Sequence, residues 1–271
     1  MTVTKGDIKK SILESKLNNK TLCIHSSLKS FGEVIGGANT VIDAFLESGC
    51  TILAPAFQYD FQIPAIENIE QNGDYEYENS LKPHHRIYST NISNITADMG
   101  AIPKAMVNTK GRHRGNHPSD SFVALGPHAE ELICVQTFEN VYGPFQKMIE
   151  MGSKIIMMGV GLNKMTAIHY AEQLSGRELY VRWALDHNGN PARYRMGSCS
   201  EGFERLAPAI SHLEQKTTVG NSAWRIYPIK ETVYACADAI GNNPESTHCD
   251  NSDCKWCNDM QKGGPILNIN F

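Results

Sequence analysis

The chain has 271 residues, of which 41% are hydrophobic and 20% are charged, and these fractions are typical of a globular protein. Its formal net charge is -4, its isoelectric point is about 6.2, and it has no long basic run, which argues against a nucleic-acid-binding protein. An acidic cleft that binds a cationic small molecule suits this charge better.

The first 20 residues lack the apolar segment of a signal peptide, and no window approaches the roughly 20 apolar residues that span a membrane. We therefore expect a cytoplasmic protein with neither membrane nor nucleic-acid partners. The length permits one large domain or two small ones, and we expect a single domain over residues 1–271. The sequence does not distinguish a monomer from a homodimer.

The chain begins with a helix and a strand. Apolar residues near helical spacing predict an amphipathic helix over residues 6–18, and the apolar run 21–25 predicts a buried strand. This strand leads into residues 26–32, a loop rich in small residues.

The next helix follows the pair Gly36 and Gly37. We expect it to begin at Asn39 or Thr40, because both are good N-cap residues. A loop that faces the free N–H groups of a helix is suited to bind a phosphate, although a pair of glycines also fits an ordinary tight turn.

Residues 58–89 follow a strand predicted over residues 51–57 and show no periodic pattern, but they are rich in acids, tyrosines and histidines. An unpatterned stretch of about 30 residues inside a compact domain is more often a binding loop or lid than filler. Its acids and tyrosines suit a polyhydroxylated cation, and a surface insertion without a binding role is the alternative.

The rest of the chain alternates between helices and strands, as expected of an α/β protein. The expected helices cover residues 97–108, 127–135, 201–213 and 229–240, the strands cover 122–126, 154–158 and 223–227, and a hairpin pairs 178–184 with 193–196.

The segment 159–172 is the first candidate for chemistry. Two glycines turn the chain after the strand 154–158, and a helix is predicted over residues 166–173. Open α/β sheets bind their ligands where a strand ends and a helix starts. His169 and Glu172 lie three residues apart and share a helix face, so the carboxylate can orient the imidazole. A solvated pair on a surface helix is the alternative.

Three of the eight cysteines crowd near the C-terminus. Cys-x2-Cys is a good half-site for tetrahedral Zn²⁺, and Cys199 is the distant cysteine with the least apolar neighbourhood. A zinc site would staple residues 245–271 to the body of the protein, whereas free thiols in a reducing cytoplasm are the alternative. The hypothetical ligands are Cys199, Cys254, Cys257 and either His248 or Cys249.

Taken in order, these segments resemble the aminoglycoside 3-N-acetyltransferase family, which is distinct from the GNAT superfamily. The resemblance implies an α/β fold with a mixed central sheet flanked by helices, to which this sequence adds an irregular insertion at about 58–89 and a Cys-rich C-terminal segment. The matching segments touch most of residues 6–180 and are residues 22–37, 40–44, 51–57, 98–100, 114–126 and 152–172.

The resemblance implies transfer of an acetyl group from acetyl-CoA to an amine of an aminoglycoside or a related amino sugar. His169 corresponds to the histidine of the family's Thr-x-x-His-x-x-Glu segment, with Thr166 and Glu172 also in place. His169 would be the general base, Glu172 or another carboxylate would hold it, and Thr166 or a backbone N–H of the glycine turn would stabilise the oxyanion. An amino sugar of a surface polysaccharide or of secondary metabolism is the alternative acceptor.

The resemblance also implies positions for the two substrates. The residues expected to hold acetyl-CoA are His25, Ser26, Ser27, Leu28, Val34, Gly36, Gly37 and Thr40. Those expected near the acceptor are Tyr59, Asp60, Asp98 and His117, of which His117 either shapes the cleft or contacts the substrate. The chain departs from the family pattern at Gly115, where many resistance enzymes have Ser, and in residues 58–89, which show no clear match.

Two functions of other classes compete with this interpretation. A zinc hydrolase would use His169 or the cysteines, but no His-Glu-x-x-His motif is present. A binding module that senses acyl-CoA or a sugar without catalysis would not need Thr166, His169 and Glu172 together.

Overall fold

The computed structural model describes residues 2–67 and 81–264. The central part of the expected insertion, residues 68–80, and the end of the Cys-rich segment, residues 265–271, lie outside the described residues.

The described strands and helices alternate for most of the chain. The strands are β1 Thr2–Val3, β2 Thr21–Ser26, β3 Glu33–Val34, β4 Thr51–Pro55, β5 Gln62–Ile63, β6 His113–Arg114, β7 Phe122–Leu125, β8 Lys154–Met158, β9 Tyr180–Leu185, β10 Pro191–Met196, β11 Gln215–Val219 and β12 Ser222–Pro228. The helices are α1 Lys5–Glu14, α2 Gly37–Glu47, α3 Ala101–Met106, α4 Ala129–Ile133, α5 Gly143–Glu150, α6 Ala167–Leu174, α7 Ala207–Ile210, α8 Ile229–Asn242 and α9 Lys255–Lys262.

A seven-stranded mixed sheet forms the centre, with the strand order β11-β12-β8-β2-β4-β7-β6. The three central strands, β8, β2 and β4, run parallel, and the strands outside them are antiparallel to their neighbours. The central strands are apolar along almost their whole length because helices cover both faces of the sheet. The expected mixed sheet flanked by helices is therefore confirmed.

Side chains of the central strands alternate between two hydrophobic cores, as the two-residue period of a strand requires. Cys23, Ile155 and Met157 face the core formed with α4 to α8, whereas Ile24 and Ile156 face the core formed with α1 to α3. Among residues 2–67 and 81–264, no helix is long and apolar enough to cross a membrane.

The hairpin of β9 and β10 forms a second sheet with β5, so the predicted hairpin is present with slightly different bounds. The helix expected over residues 97–108 is divided at Gly100, whose φ of 86° places a 3-10 turn, Ala97–Met99, before α3. The helix expected over residues 201–213 is a succession of short 3-10 and α turns, including α7.

Helix α2 starts earlier than the sequence predicted. Gly36 is its N-cap and has a φ of 80°, a conformation that favours glycine. The Thr40 hydroxyl donates a hydrogen bond of 2.7 Å to the carbonyl of Ile35, so Thr40 lies in the first turn. The expectation of an N-cap at Asn39 or Thr40 was wrong because the glycine pair begins the helix instead of preceding it.

Candidate active site

The carboxyl ends of β2 and β8 lie side by side and position the site. Ser26 pairs with Met158 in the parallel register, so the loop after β2 adjoins the turn after β8. Gly159 in this turn has a φ of 67°, and a Cβ there would lie 2.1 Å from the hydroxyl of Ser30. Only glycine allows the two loops to pack this closely.

His169 and Glu172 form a buried hydrogen-bonded pair in α6. Nδ1 of His169 lies 2.7 Å from Oε2 of Glu172, and the two residues are 7% and 1% exposed. Because a carboxylate only accepts, Nδ1 carries the proton and Nε2 is left to accept one. Among the described residues, Nε2 has no hydrogen-bond partner. Glu172 thus fixes the orientation of the His169 imidazole. The two residues are buried, so the alternative of a solvated pair on a surface helix does not apply.

Arg177 completes this arrangement from the far side of Glu172. Its Nη1 donates to Oε1 of Glu172 at 2.6 Å and to the hydroxyl of Thr247 at 2.8 Å, and its Nη2 donates to the carbonyl of Pro244 at 2.8 Å. Arg177 is only 2% exposed. A buried carboxylate needs a paired cation, and Arg177 is that cation for Glu172.

The ring of His169 lies between aromatic side chains. It stacks on Tyr142 with centroids 6.2 Å apart and meets the edge of Phe203 at 4.8 Å. These contacts restrict the rotation of the imidazole, so its free nitrogen has one orientation relative to the cleft.

Two adjoining cavities meet at His169. One has a volume of about 510 Å³ and is bordered by residues 24–29 and Thr166, and the other has a volume of about 420 Å³ and is bordered by Asp120, residues 196–201 and Trp256. His169 borders both. An imidazole at this junction can act between two ligands that enter from different sides.

The expected cofactor-binding residues separate into two groups. His25, Ser26, Ser27 and Leu28 line the 510 Å³ cavity. The hydroxyl of Ser26 is buried and makes no hydrogen bond among the described residues, so it is available to a ligand. The second group does not line the cavity and consists of Val34, Gly36, Gly37 and Thr40. These residues lie in β3 and at the start of α2.

The expected substrate-binding residues also separate. Tyr59 and Asp98 line both cavities, whereas Asp60 is exposed and lines neither. His117 is fully buried and also lines neither cavity, which corrects the expectation that it contacts the substrate.

His117 has a structural position behind the second cavity. Its Nε2 donates to the carbonyl of Arg195 at 2.9 Å, and its Nδ1 accepts from the backbone N–H of Asp120 at 2.8 Å. Burial lowers the pKa of His117 to about 3, so the ring stays neutral. Of the two roles considered for His117, this geometry fits shaping the cleft, since the residue holds the backbone of Asp120.

Asp120 borders the second cavity and was not among the expected site residues. Its carboxylate accepts from the Ser119 hydroxyl at 2.8 Å and from the Gly197 N–H at 3.3 Å. Burial raises the pKa of Asp120 to about 6, against the opposing effect of these hydrogen bonds and of His169. In the sequence Asp120 lies three residues after His117, inside the segment 114–126.

Gln136 accounts for the glycine at position 115. A Cβ on Gly115 would lie 1.7 Å from Oε1 of Gln136, which accepts from the Phe122 N–H at 3.0 Å. The Gln136 amide also donates to the carbonyls of Asp120 and Val141. A serine at position 115 would therefore displace a side chain that supports the Asp120 segment.

Four thiols gather beside the second cavity. The Sγ atoms lie within 4.8 Å of one another and belong to Cys199, Cys249, Cys254 and Cys257. His248 does not join them, because its Nδ1 bonds to the carbonyl of Cys249 at 2.8 Å and its Nε2 bonds to Oδ1 of Asn258 at 2.9 Å. A hydrogen bond from the Cys257 thiol lowers the pKa of Cys199. Of the two fourth ligands considered, the geometry favours Cys249 over His248.

The sequence model of one family, described as aminoglycoside 3-N-acetyltransferase, matches residues 23–240. The aminoglycoside N(3)-acetyltransferase IX of Micromonospora chalcea is 28% identical over 185 residues, which are 64% of this chain and 63% of that protein. This chain thus spans less than two thirds of the length of that relative.

Two solved structures share the fold. The apoenzyme of the aminoglycoside acetyltransferase AAC(3)-IVa superposes with a TM-score of 0.79 at 19% identity, covering 97% of this chain and 99% of that chain. AAC-IIIb in a binary complex with CoASH superposes with a TM-score of 0.73 at 18% identity, covering 89% and 97% of the two chains. At these identities the likeness concerns the fold alone.

Proposed function

Because this chain belongs to the aminoglycoside 3-N-acetyltransferase family, we propose that it transfers the acetyl group of acetyl-CoA directly to an amine of an aminoglycoside or a related amino sugar. The observation that carries the proposal is the buried His169–Glu172–Arg177 chain at the junction of two cavities.

His169 is the general base of this reaction. An alkyl amine with a pKa near 10 is mostly protonated at neutral pH, whereas only the neutral amine attacks a thioester. Nε2 of His169 takes the proton while Nδ1–H stays bonded to Glu172, which favours the imidazolium as it forms. The amine nitrogen bonds to the acetyl carbon, the C–S bond breaks, and the CoA thiolate leaves and takes up a proton.

The two cavities divide the substrates. Acetyl-CoA occupies the 510 Å³ cavity, which Thr166 borders and in which the buried hydroxyl of Ser26 is available to the ligand. Thr166 stabilises the oxyanion of the tetrahedral intermediate. The structural neighbour that holds CoASH supports this choice of co-substrate. Beyond the cavity, Val34, Gly36, Gly37 and Thr40 offer the N-terminal end of α2 to the pyrophosphate.

The amino sugar occupies the 420 Å³ cavity. Asp98, Asp120 and Glu201 border it and give it the negative charge that a polycationic acceptor requires. A surface-polysaccharide amino sugar or a secondary metabolite meets the same charge requirement, so an acceptor panel must contain both classes.

Release of free thiol from acetyl-CoA tests the proposal. A transferase releases CoA only when acetyl-CoA and an amino sugar are both present, and the product gains one acetyl group by mass spectrometry. A hydrolase releases thiol without an acceptor, and a sensor releases none, so either of these results contradicts the proposal. A suitable panel contains gentamicin, apramycin, sisomicin and simple amino sugars such as glucosamine.

The four thiols support a second proposal, that they hold a structural Zn²⁺. Tetrahedral zinc with bonds of about 2.3 Å places its sulfurs roughly 3.8 Å apart, and the four Sγ atoms already lie within 4.8 Å of one another. A site closed by four protein ligands has no open position for water, so this metal would be structural. It would fasten α9 to the loop that carries Cys199.

A further inference from the structure

The carboxylates that border the 420 Å³ cavity differ in burial. Asp98 and Glu201 are exposed, and Glu201 already accepts a hydrogen bond from the side-chain amide of Asn163 at 3.1 Å. Asp120 is only 3% exposed. Pairs of solvated charges contribute little to binding, whereas a carboxylate away from water attracts a cation more strongly. Asp120 is therefore the carboxylate of this cavity that is best suited to bind an ammonium group.

We propose that the carboxylate of Asp120 binds the ammonium group that is to be acetylated and holds it beside Nε2 of His169. The inference rests on the proposed function, because it names the residue that presents the acceptor amine to the proposed base. The family resemblance implied other acceptor contacts, namely Tyr59, Asp60, Asp98 and His117.

The charge of Asp120 has no partner in the described part of the chain. Its carboxylate accepts from the hydroxyl of Ser119 at 2.8 Å and from the backbone N–H of Gly197 at 3.3 Å, but no lysine or arginine of residues 2–67 and 81–264 pairs with it. Glu172, which is also buried, has Arg177 at 2.6 Å. A carboxylate has about four acceptor positions, so Asp120 can accept from a ligand as well. An acceptor ammonium would supply the missing cation.

Gly197 brings Asp120 and His169 to the same wall of the cavity. Its backbone N–H contacts the carboxylate of Asp120, and a Cβ on Gly197 would lie 2.7 Å from Cδ2 of His169. Cδ2 is the ring carbon next to Nε2. Both side chains border the 420 Å³ cavity. A group that binds Asp120 from this cavity therefore lies close to the nitrogen that accepts the proton.

The backbone of Asp120 is fixed on both sides. Its N–H donates to Nδ1 of His117 at 2.8 Å, and its carbonyl accepts from the side-chain amide of Gln136 at 2.9 Å. His117 and Gln136 are both buried. The carboxylate thus has its orientation before a ligand arrives, and binding does not carry the cost of ordering it.

The same carboxylate suits the reaction as well as binding. The acceptor nitrogen is positive in the arriving ammonium, and it becomes positive again when the neutral amine bonds to the acetyl carbon. An anion beside the nitrogen stabilises the charge at both points. Between them the proton passes to Nε2 of His169, which remains the base, so Asp120 acts as an anion throughout.

Thermal unfolding measures this contact without turnover. Gentamicin should raise the melting temperature of the wild type, because a ligand of the folded state stabilises it. The same concentration should raise that of Asp120→Asn much less, since loss of a hydrogen bond to a charged group should weaken binding by about 10- to 100-fold. Asp238→Asn, at an exposed carboxylate of α8, is the matched control and should respond as the wild type does. Equal shifts in the wild type and Asp120→Asn would overturn the inference.

The stability of the ligand-free protein separates this role from a structural one. Burial raises the pKa of Asp120 to about 6, whereas an aspartate in an unfolded chain titrates near about 3.9. Above both values the ionised group opposes folding, because the unfolded chain ionises it more easily. Ligand-free Asp120→Asn should therefore melt at pH 8 at or above the temperature of the wild type. A lower melting temperature with unchanged gentamicin binding would show a purely structural residue and overturn the inference.

Steady-state kinetics give an independent measurement. In Asp120→Asn the kcat/KM for gentamicin should fall by at least about tenfold. The KM for acetyl-CoA should stay within about twofold, because Asp120 does not border the 510 Å³ cavity. Asp120→Glu, which restores the charge, should recover part of the loss. A normal kcat/KM for gentamicin in Asp120→Asn would overturn the inference.

The fate of the proposed function is distinguishable from the fate of this inference. If the wild type acetylates an amino sugar and Asp120→Asn has a normal kcat/KM, only the inference fails. If the wild type acetylates none of the panel but gentamicin stabilises it and not Asp120→Asn, the ammonium contact stands without the proposed reaction. If the wild type neither acetylates the panel nor binds gentamicin, both fail.

Discussion

Nη1 of Arg177 lies 2.6 Å from Oε1 of Glu172, on the carboxylate whose other oxygen is bonded to His169. The guanidinium is itself anchored by Thr247 and Pro244, which precede the three C-terminal cysteines of the four-thiol group. The orientation of the candidate base therefore depends on contacts of Arg177 with residues that lie 67 and 70 positions further along the chain.

Replacing His169 with Ala removes the proposed base and should lower kcat by about 10² to 10⁴, the usual contribution of a positioned acid–base group. Binding of CoA, measured by calorimetry, should stay within about threefold, because the imidazole is one of many groups that line that cavity and residues 25–28 remain in place. The matched control is His187→Ala in the exposed β9–β10 turn, which should keep full activity. Near-normal turnover in His169→Ala would exclude the assignment.

Replacing Arg177 with Gln leaves the buried carboxylate of Glu172 without its cation. Loss of one partner of a buried pair costs about 3 to 5 kcal/mol, so the free energy of unfolding in urea should fall by this amount. The kcat should fall as well, while the KM for acetyl-CoA changes little. Arg177→Lys, which keeps a charge, should recover part of both losses.

The exposed Arg193 provides the control for this experiment. Arg193→Gln should change the free energy of unfolding by less than about 0.5 kcal/mol. If Arg177→Gln is as stable and as active as the wild type, Arg177 neither supports the fold nor positions Glu172.

Local patterns predicted the central strands and the contact between His169 and Glu172, because both depend on short spacings. The apolar runs of β2, β4 and β8 are buried on both faces, and His169 and Glu172 share one turn of helix. The sequence did not predict strand β11, because it lacks an apolar run. Four of its five residues are polar and are exposed or half-buried.

Long-range contacts account for the residues that sequence patterns misplaced. His117 is buried by Phe138 and Tyr194, whose rings lie 6.4 and 5.3 Å away, and neither contact has a local signature. His248 and Cys249 are adjacent, so spacing could not decide which one faces the other cysteines. The hydrogen bond that Nε2 of His248 donates to Oδ1 of Asn258 decides it in the fold.

The buried His117 should make the protein sensitive to acid. Its pKa is about 3 in the folded protein, whereas an unfolded histidine titrates near 6.5, so the unfolded chain binds the additional proton. The stability that this group contributes is complete above pH 6.5 and is lost as the pH falls toward 3. His117→Asn should cost about 1 to 3 kcal/mol at pH 7, and this cost should shrink by roughly 2 kcal/mol at pH 5.

Urea denaturation of the wild type and of His117→Asn at pH 7 and pH 5 measures the cost of the substitution at each pH. The other titrating groups are the same in both proteins, so their contributions cancel. The exposed His212 is the control, and His212→Asn should give a small difference. A cost of His117→Asn that is equal at the two pH values would show that His117 does not stay neutral in the folded protein.

The choice between Cys249 and His248 can be tested by metal content. Protein purified without chelators should hold about one zinc per chain, by elemental analysis. Cys249→Ser removes one of the four sulfurs and should lower the zinc content and the melting temperature together, because binding energy of a structural metal is folding energy. His248→Ala should keep the zinc, since both ring nitrogens are bonded elsewhere. Cys134→Ser, at an exposed and distant thiol, is the matched control and should change neither quantity.

Loss of zinc in His248→Ala but not in Cys249→Ser would reverse the ligand assignment. Less than roughly a tenth of an equivalent in the wild type would reject a structural zinc altogether.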